Sequence, residues 1–189
     1  MNREPDEHAR VRAVLDRSPG AFEALVRDYQ KLCWHIVFRM VRDPDDARDL
    51  CQETFLRVHR QLHQFRFESA LGSWIGRIAY SIALRHLERR RAAPVTYLDD
   101  ESEPESVADD SFDLEAASGD EQLSARLREG VDALPPVPRT LVTLYHLQEL
   151  PISEIATITG MSEGTIKSHL FRARASLRDW LRRRGVNAP

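Results

Sequence analysis

The sequence has little of the glycine that nucleotide-binding loops need: 8 glycines in 189 residues, with no Gly-rich phosphate loop among them. It also lacks a metal-spaced carboxylate cluster and any evident pairing of a nucleophile with a base. These absences argue against an enzyme acting on nucleic acid, and no catalytic residue, cofactor or small-molecule substrate is expected. Cysteine is nearly missing. The 2 present, Cys33 and Cys51, are too few for a disulfide framework. Each falls on an apolar helical face, Cys33 with Tyr29 and Ile36, Cys51 with Ala47 and Phe55, where buried free thiols are expected. His59 and His63 stand at i, i+4, a spacing that can hold a metal, but no third ligand accompanies them and no metal is expected. No uncharged stretch approaches the roughly 18 apolar residues of a transmembrane helix. Residues 1–12 are polar and charged, unlike a secretory signal. The expectation is a cytoplasmic protein without membrane insertion.

What is present is charge, unevenly placed. The formal net charge of −3 hides a pattern: residues 21–92 carry 13 Lys/Arg against 9 Asp/Glu, and residues 126–189 carry 10 against 6. Between them, residues 93–125 hold 11 acids and no Lys or Arg. Two basic lobes joined by an acidic strap suit contact with a polyanion on the lobes.

Apolar periodicity divides the chain in the same way. Steps of three and four through Phe22, Leu25, Tyr29, Leu32, Ile36 and Met40 predict a helix over 19–41, with Ser18 as its cap and Pro19 in its first turn. A second start signal follows at Asp43-Pro44-Asp45-Asp46, its acids at the positive end of a helix dipole. A third helix is predicted over about 70–91, with Leu71, Trp74, Ile75, Ile78 and Ile82 inward and a basic tail. The fold class is thus all-α: a helical domain over 19–92, a flexible acidic linker over 93–122, and a second helical domain over 123–184.

Residues 152–170 fit a DNA-reading helix-turn-helix. Ala156 is small where the two helices cross, Gly160 suits the turn and Ser162 caps the second helix. At about 100° per residue, Leu170, Ala173 and Leu177 fall within about 40° of Ile166. The opposite arc holds Lys167, Phe171, Gly164, Ser168 and Arg172. Cations, a hydroxyl and an aromatic ring suit the phosphates and base edges of a major groove.

These motifs resemble a known family. Residues 150–156, Gly164 to Ser168 and Arg172-Ala173-Arg174 resemble the fourth domain of extracytoplasmic-function sigma factors. Asp49-Leu50-Cys51-Gln52-Glu53-Thr54-Phe55 resembles their core-binding helix. Phe65 to Ala70, Ser73-Trp74-Ile75 and Arg77-Ile78-Ala79 resemble their promoter-melting segment. The resemblance implies a factor that binds core RNA polymerase at its β′ coiled coil and β flap and directs it to promoter DNA. An anti-sigma partner is implied as well. By the same resemblance, Asp49, Gln52 and Glu53 dock on polymerase. Phe65, Arg66, Phe67, Glu68 and Ser69 would capture a base flipped from the −10 strand. Arg77, Ser81, Arg85 and Arg89 would line that strand, and Thr165, Lys167, Ser168, Phe171, Arg172 and Arg174 would meet the −35 duplex. Ser81 and Arg85 depart from the family's usual Asn and Asp, which leaves base preference at −10 open.

Two rivals are weighed against this. An ordinary helix-turn-helix regulator would share residues 162–169 but gives Asp49 to Phe55 no purpose, and a nucleic-acid enzyme lacks its chemistry. The acidic strap has two readings: a solvated tether, or a plug threading the channel through which RNA leaves polymerase. Its strict lack of Lys and Arg favours the plug.

Overall fold

Helix-end chemistry and apolar spacing decide where this chain coils. A computed structural model describes residues 4–92 and 121–184, so the strap lies outside the described residues apart from its last few positions. Eight α-helices are described: α1 (Glu4–Leu15), α2 (Ala21–Val41), α3 (Pro44–Gln61), α4 (Leu71–Ala92), α5 (Glu121–Ala133), α6 (Pro136–Val142), α7 (Ile152–Thr159) and α8 (Glu163–Arg183). A 3-10 turn, Leu62–Gln64, follows α3, and a π turn, Thr143–Leu147, continues α6. No strand occurs among the described residues.

Two of the expected caps are present. Asp43 accepts hydrogen bonds from the amides of Asp45 at 2.9 Å and Asp46 at 3.0 Å, with Pro44 opening α3. Those two amides, Asp46's first, hold the Asp43 carboxyl below the usual carboxylate range. Ser162 Oγ accepts from the Thr165 amide at 3.1 Å and starts α8. Gly160 ends α7 at φ +75°, the left-handed conformation that glycine adopts without a side-chain penalty.

The cap predicted at Ser18 is corrected. Gly20, at φ +75°, is the residue before α2, and no side chain caps that helix. The chain reverses so tightly after α1, through Arg17 at φ 55°, that the Ser18 carbonyl rather than its hydroxyl meets the Ala21 amide. The preceding helix, α1, was not expected either. It buries Val11 and Val14 and ties Arg10 to Asp28 at 3.0 Å.

α2, α3 and α4 bury a shared core that includes Leu25, Ile36, Met40, Ala47, Val58, Leu71 and Ile75. Cys33 is buried and Cys51 half-buried, and both thiols are free. The Cys51 thiol and burial push the Cys33 thiol up, while the same neighbour pulls Cys51 down against its own burial. His59 meets the edge of Phe22. Among the described residues no three His, Cys, Asp or Glu side chains gather as a metal site. None of the described helices is long and apolar enough to cross a membrane.

The two halves pack on each other, and one apolar cluster runs from Val11 to Leu177. α7 lies more extensively on α4 than on its own partner α8. Ile155 and Ile158 are buried there, each worth about 1.5–3 kcal/mol relative to exposure. The approach is close at Gly76, where a Cβ would stand 3.1 Å from both Ile158 and Ile36. Polar contacts flank it. Ser73 Oγ donates to Glu154 at 3.1 Å, Arg39 pairs with Asp132, and Arg42 donates to the Asp132 carbonyl at 2.8 Å. Gly76→Leu should therefore lower stability by about 1–3 kcal/mol through overpacking, read as a lower urea midpoint at unchanged slope.

Candidate nucleic-acid interface

α8 is amphipathic, and its buried stripe is the predicted one: Ile166, Leu170, Ala173 and Leu177 are all 2 % exposed or less. The opposite side carries the predicted reading residues. Thr165, Lys167 and Arg172 are exposed, while Ser168, Phe171 and Arg174 are half-buried. Phe171 is thus less outward than a helical wheel places it, since α8 also leans on other helices. Lys167 lies 3.9 Å from Glu163, a weak exposed pair that a phosphate can displace. Arg174 Nε is buried without a partner. Burial and the Arg172 cation hold His169 below its ordinary pKa, so this ring next to the reading face is neutral at neutral pH.

The second cluster surrounds the loop between α3 and α4. Phe65 is buried, with its ring centroid 4.7 Å from Phe67 and 5.4 Å from Trp74. Phe67 is 37 % exposed and stands at φ 58°. A left-handed Phe costs about 1–2 kcal/mol, so its neighbours hold it in place. Arg66 and Glu68 are exposed and Ser69 half-buried. The structure brings Phe65, Phe67 and Trp74 into one aromatic group. Sequence reasoning missed a fourth ring, His8 of α1, whose imidazole stacks on Phe67 at 3.6 Å and 11°.

Along α4, Arg77, Arg85 and Arg89 are exposed and Ser81 half-buried. They recur every four residues and so share one side of the helix. Ser81 and Arg85, the two departures from the family pattern, meet: Arg85 donates to Ser81 Oγ at 2.8 Å. Arg89 Nε donates at 3.4 Å to the Arg85 carbonyl. Glu53, Arg57, Ile82, Arg85, Glu88 and Arg89 line an open groove of about 440 Å³ between α3 and α4.

On α3, Asp49 and Gln52 are exposed and Glu53 half-buried, paired with Arg57 at 2.9 Å. Their stripe continues to Leu56, which is 52 % exposed. Leu56 was not counted with the docking residues because it carries no charge or hydrogen-bonding group. Its signal was position, seven residues after Asp49 and off the buried face.

Sequence comparison decides what this arrangement belongs to. Residues 25–93 match sigma-70 region 2 and residues 124–177 match sigma-70 region 4. The chain belongs to the extracytoplasmic-function sigma factors. It is 34 % identical to the RNA polymerase sigma-H factor of Pseudomonas aeruginosa over 94 % of each chain. It is 32 % identical to the sigma-E factor of Haemophilus influenzae over 89 % of this chain and 91 % of that one. Two solved structures share its fold. One is CnrH in complex with the cytosolic domain of CnrY, with TM-score 0.63, 21 % identity and coverage of 92 % of this chain and 95 % of that one. The other is RpoE of Bartonella quintana in complex with the anti-sigma factor NepR, with TM-score 0.62, 19 % identity and coverage of 86 % and 98 %. The aromatic loop and α3 stripe of this sigma factor lie within the region 2 match, and Lys167 to Arg174 lie within the region 4 match.

Proposed function

We propose that this sigma factor docks on core RNA polymerase through Asp49, Gln52, Glu53 and Leu56 and guides it to promoters in the cytoplasm. Residues 19–92 act as the module that binds the β′ coiled coil and opens the −10 element. Residues 123–184 form the module that reads −35 DNA beside the β flap, and the strap at 93–122 joins them. An unpaired −10 base enters the aromatic group at Phe65 and Phe67, while Arg77, Arg85 and Arg89 follow the strand. Arg85, bonded to Ser81 at 2.8 Å, adds a cation to that row and with it weight toward phosphate contact. Lys167, Ser168, Phe171 and Arg172 face the −35 duplex. Joining two weak DNA contacts on one polymerase makes the second intramolecular and so effective. Polymerase supplies the chemistry. An anti-sigma protein is the partner that holds the factor inactive until a stress signal.

The observation that carries this reading is the α3 stripe. Asp49, Gln52, Glu53 and Leu56 fall on one side of α3, the side turned away from its buried residues, and lie inside the region 2 match, so one helix face offers charge, an amide and apolar area together. Gln52 and Glu53 changed together to Ala should weaken core polymerase binding, and Leu56→Ala should do so by about tenfold, or 1–2 kcal/mol. Fluorescence titration against core enzyme reads the affinity, and a circular dichroism melt checks that the fold is intact. Wild-type affinity in both variants would remove the docking assignment.

A further inference from the structure

α1 reaches the aromatic loop by two contacts that local sequence does not reveal. Glu7 Oε2 accepts the Leu71 amide at 3.1 Å, so α1 satisfies the exposed amino end of α4. One residue later, the His8 imidazole lies flat on Phe67, 3.6 Å between centroids and 11° from parallel. A planar nitrogen heterocycle stacked face to face on Phe67 has the geometry of a nucleobase on an aromatic platform. Behind Phe67 stand Phe65 and Trp74, and Phe67 is held in a left-handed conformation. Further along, α1 is fastened by Val11, Val14 and the half-buried Arg10, which pairs with Asp28. A 12-residue helix is marginal without such anchors, so its first turns can leave the loop while Val11 and Val14 stay seated.

We propose that His8 occupies the face of Phe67 that an unpaired −10 base takes, so that α1 is a built-in competitor for base capture. This rests on the reading of residues 65–69 as the base-capture loop. His8 keeps the loop shaped before DNA arrives and yields its place to the base. Promoter opening therefore includes exchange of one stacked ring for another. Sequences whose −10 base stacks weakly are penalised most.

The test uses holoenzyme assembled from core polymerase and full-length factor. The probe is the tightest binder selected with wild-type holoenzyme from a labelled pool of random single-stranded DNA. His8→Ala removes the competing ring and should tighten probe binding about three- to tenfold. His8→Trp stacks more strongly and should weaken it by a similar factor. Both should leave binding of a −35 duplex unchanged. Equal or weaker probe binding by His8→Ala, with its melt unchanged, overturns the proposal and makes His8 a support for the loop. Phe67→Ala separates the two readings. Loss of probe binding in Phe67→Ala beside no gain in His8→Ala defeats only the competitor. Wild-type probe binding in Phe67→Ala defeats the capture loop itself.

Discussion

Changing Lys167 and Arg172 together to alanine should weaken −35 recognition by about tenfold or more while leaving the protein folded. Both residues are exposed, and the stripe that anchors α8 runs along its other side through Ile166, Leu170, Ala173 and Leu177. Neither change therefore opens a cavity. A side chain that pairs bidentately with a base is worth about 1–3 kcal/mol, so two such losses span roughly one to four decades of affinity. The single variants tell the two contact types apart. Loss of a base contact relaxes specificity at one promoter position. Loss of a phosphate contact weakens all sequences alike and flattens the salt dependence of binding by about one ion. Duplex titrations at several salt concentrations measure both, and a double variant that binds as wild type excludes α8 as the reading helix.

The second large effect is on stability and comes from Arg139. This side chain is 4 % exposed, yet it is a cation. Its Nε and Nη2 donate to the Leu134 carbonyl at 3.1 and 2.7 Å, and Nη1 donates to the Arg39 carbonyl at 3.0 Å. It thus closes the turn between α5 and α6 and fastens that turn to α2. Burial, then the neighbouring Arg42, pulls its pKa down to about 10, with Arg39 adding to this and Asp132 opposing it. It stays charged at neutral pH. Arg139→Ala strips these donors from two carbonyls and leaves a cavity, which should destabilise the protein by about 2–4 kcal/mol. Arg139→Lys keeps the charge but not the planar fork, and should recover only part of that loss. Urea unfolding of both variants decides the matter, and equal stability of Ala and wild type would show the three bonds to be dispensable.

Arg139 also shows where sequence reading stops. In sequence it stands between three prolines and an apolar run, and an arginine there reads as solvent-facing. Its burial depends on Arg39, a hundred positions away. The features that were legible are local. Asp43 before Pro44 and Ser162 four residues before Ile166 cap helices through atoms three residues away or fewer, and the apolar stripe of α8 follows from periodicity alone. α1 was missed because it is short and buries only two valines strongly, and because its partner, the Leu71 amide, lies 64 positions on. The Ser18 cap was misread for a local reason: a left-handed Arg17 followed by Gly20 redirects the chain before the hydroxyl can reach an amide. Of the candidate interface residues, Lys167, Ser168, Phe171 and Arg172 were set on one helix face by periodicity, while Asp49, Gln52, Glu53 and residues 65–69 were suggested by family resemblance. His8 had no signal in the sequence, since its stacking is set by what surrounds it, and Leu56 had only its position off the buried face.

The fit at Gly76 reaches beyond stability. Because α4 admits α7 only where a side chain is missing, with Ile158 and Ile36 meeting over the gap, the two halves of this factor are matched surfaces. A half exchanged for that of a relative would have to supply its own match to Gly76 and to Arg39. A hybrid of that kind is expected to melt below both parents, because the seam between its halves was shaped by neither.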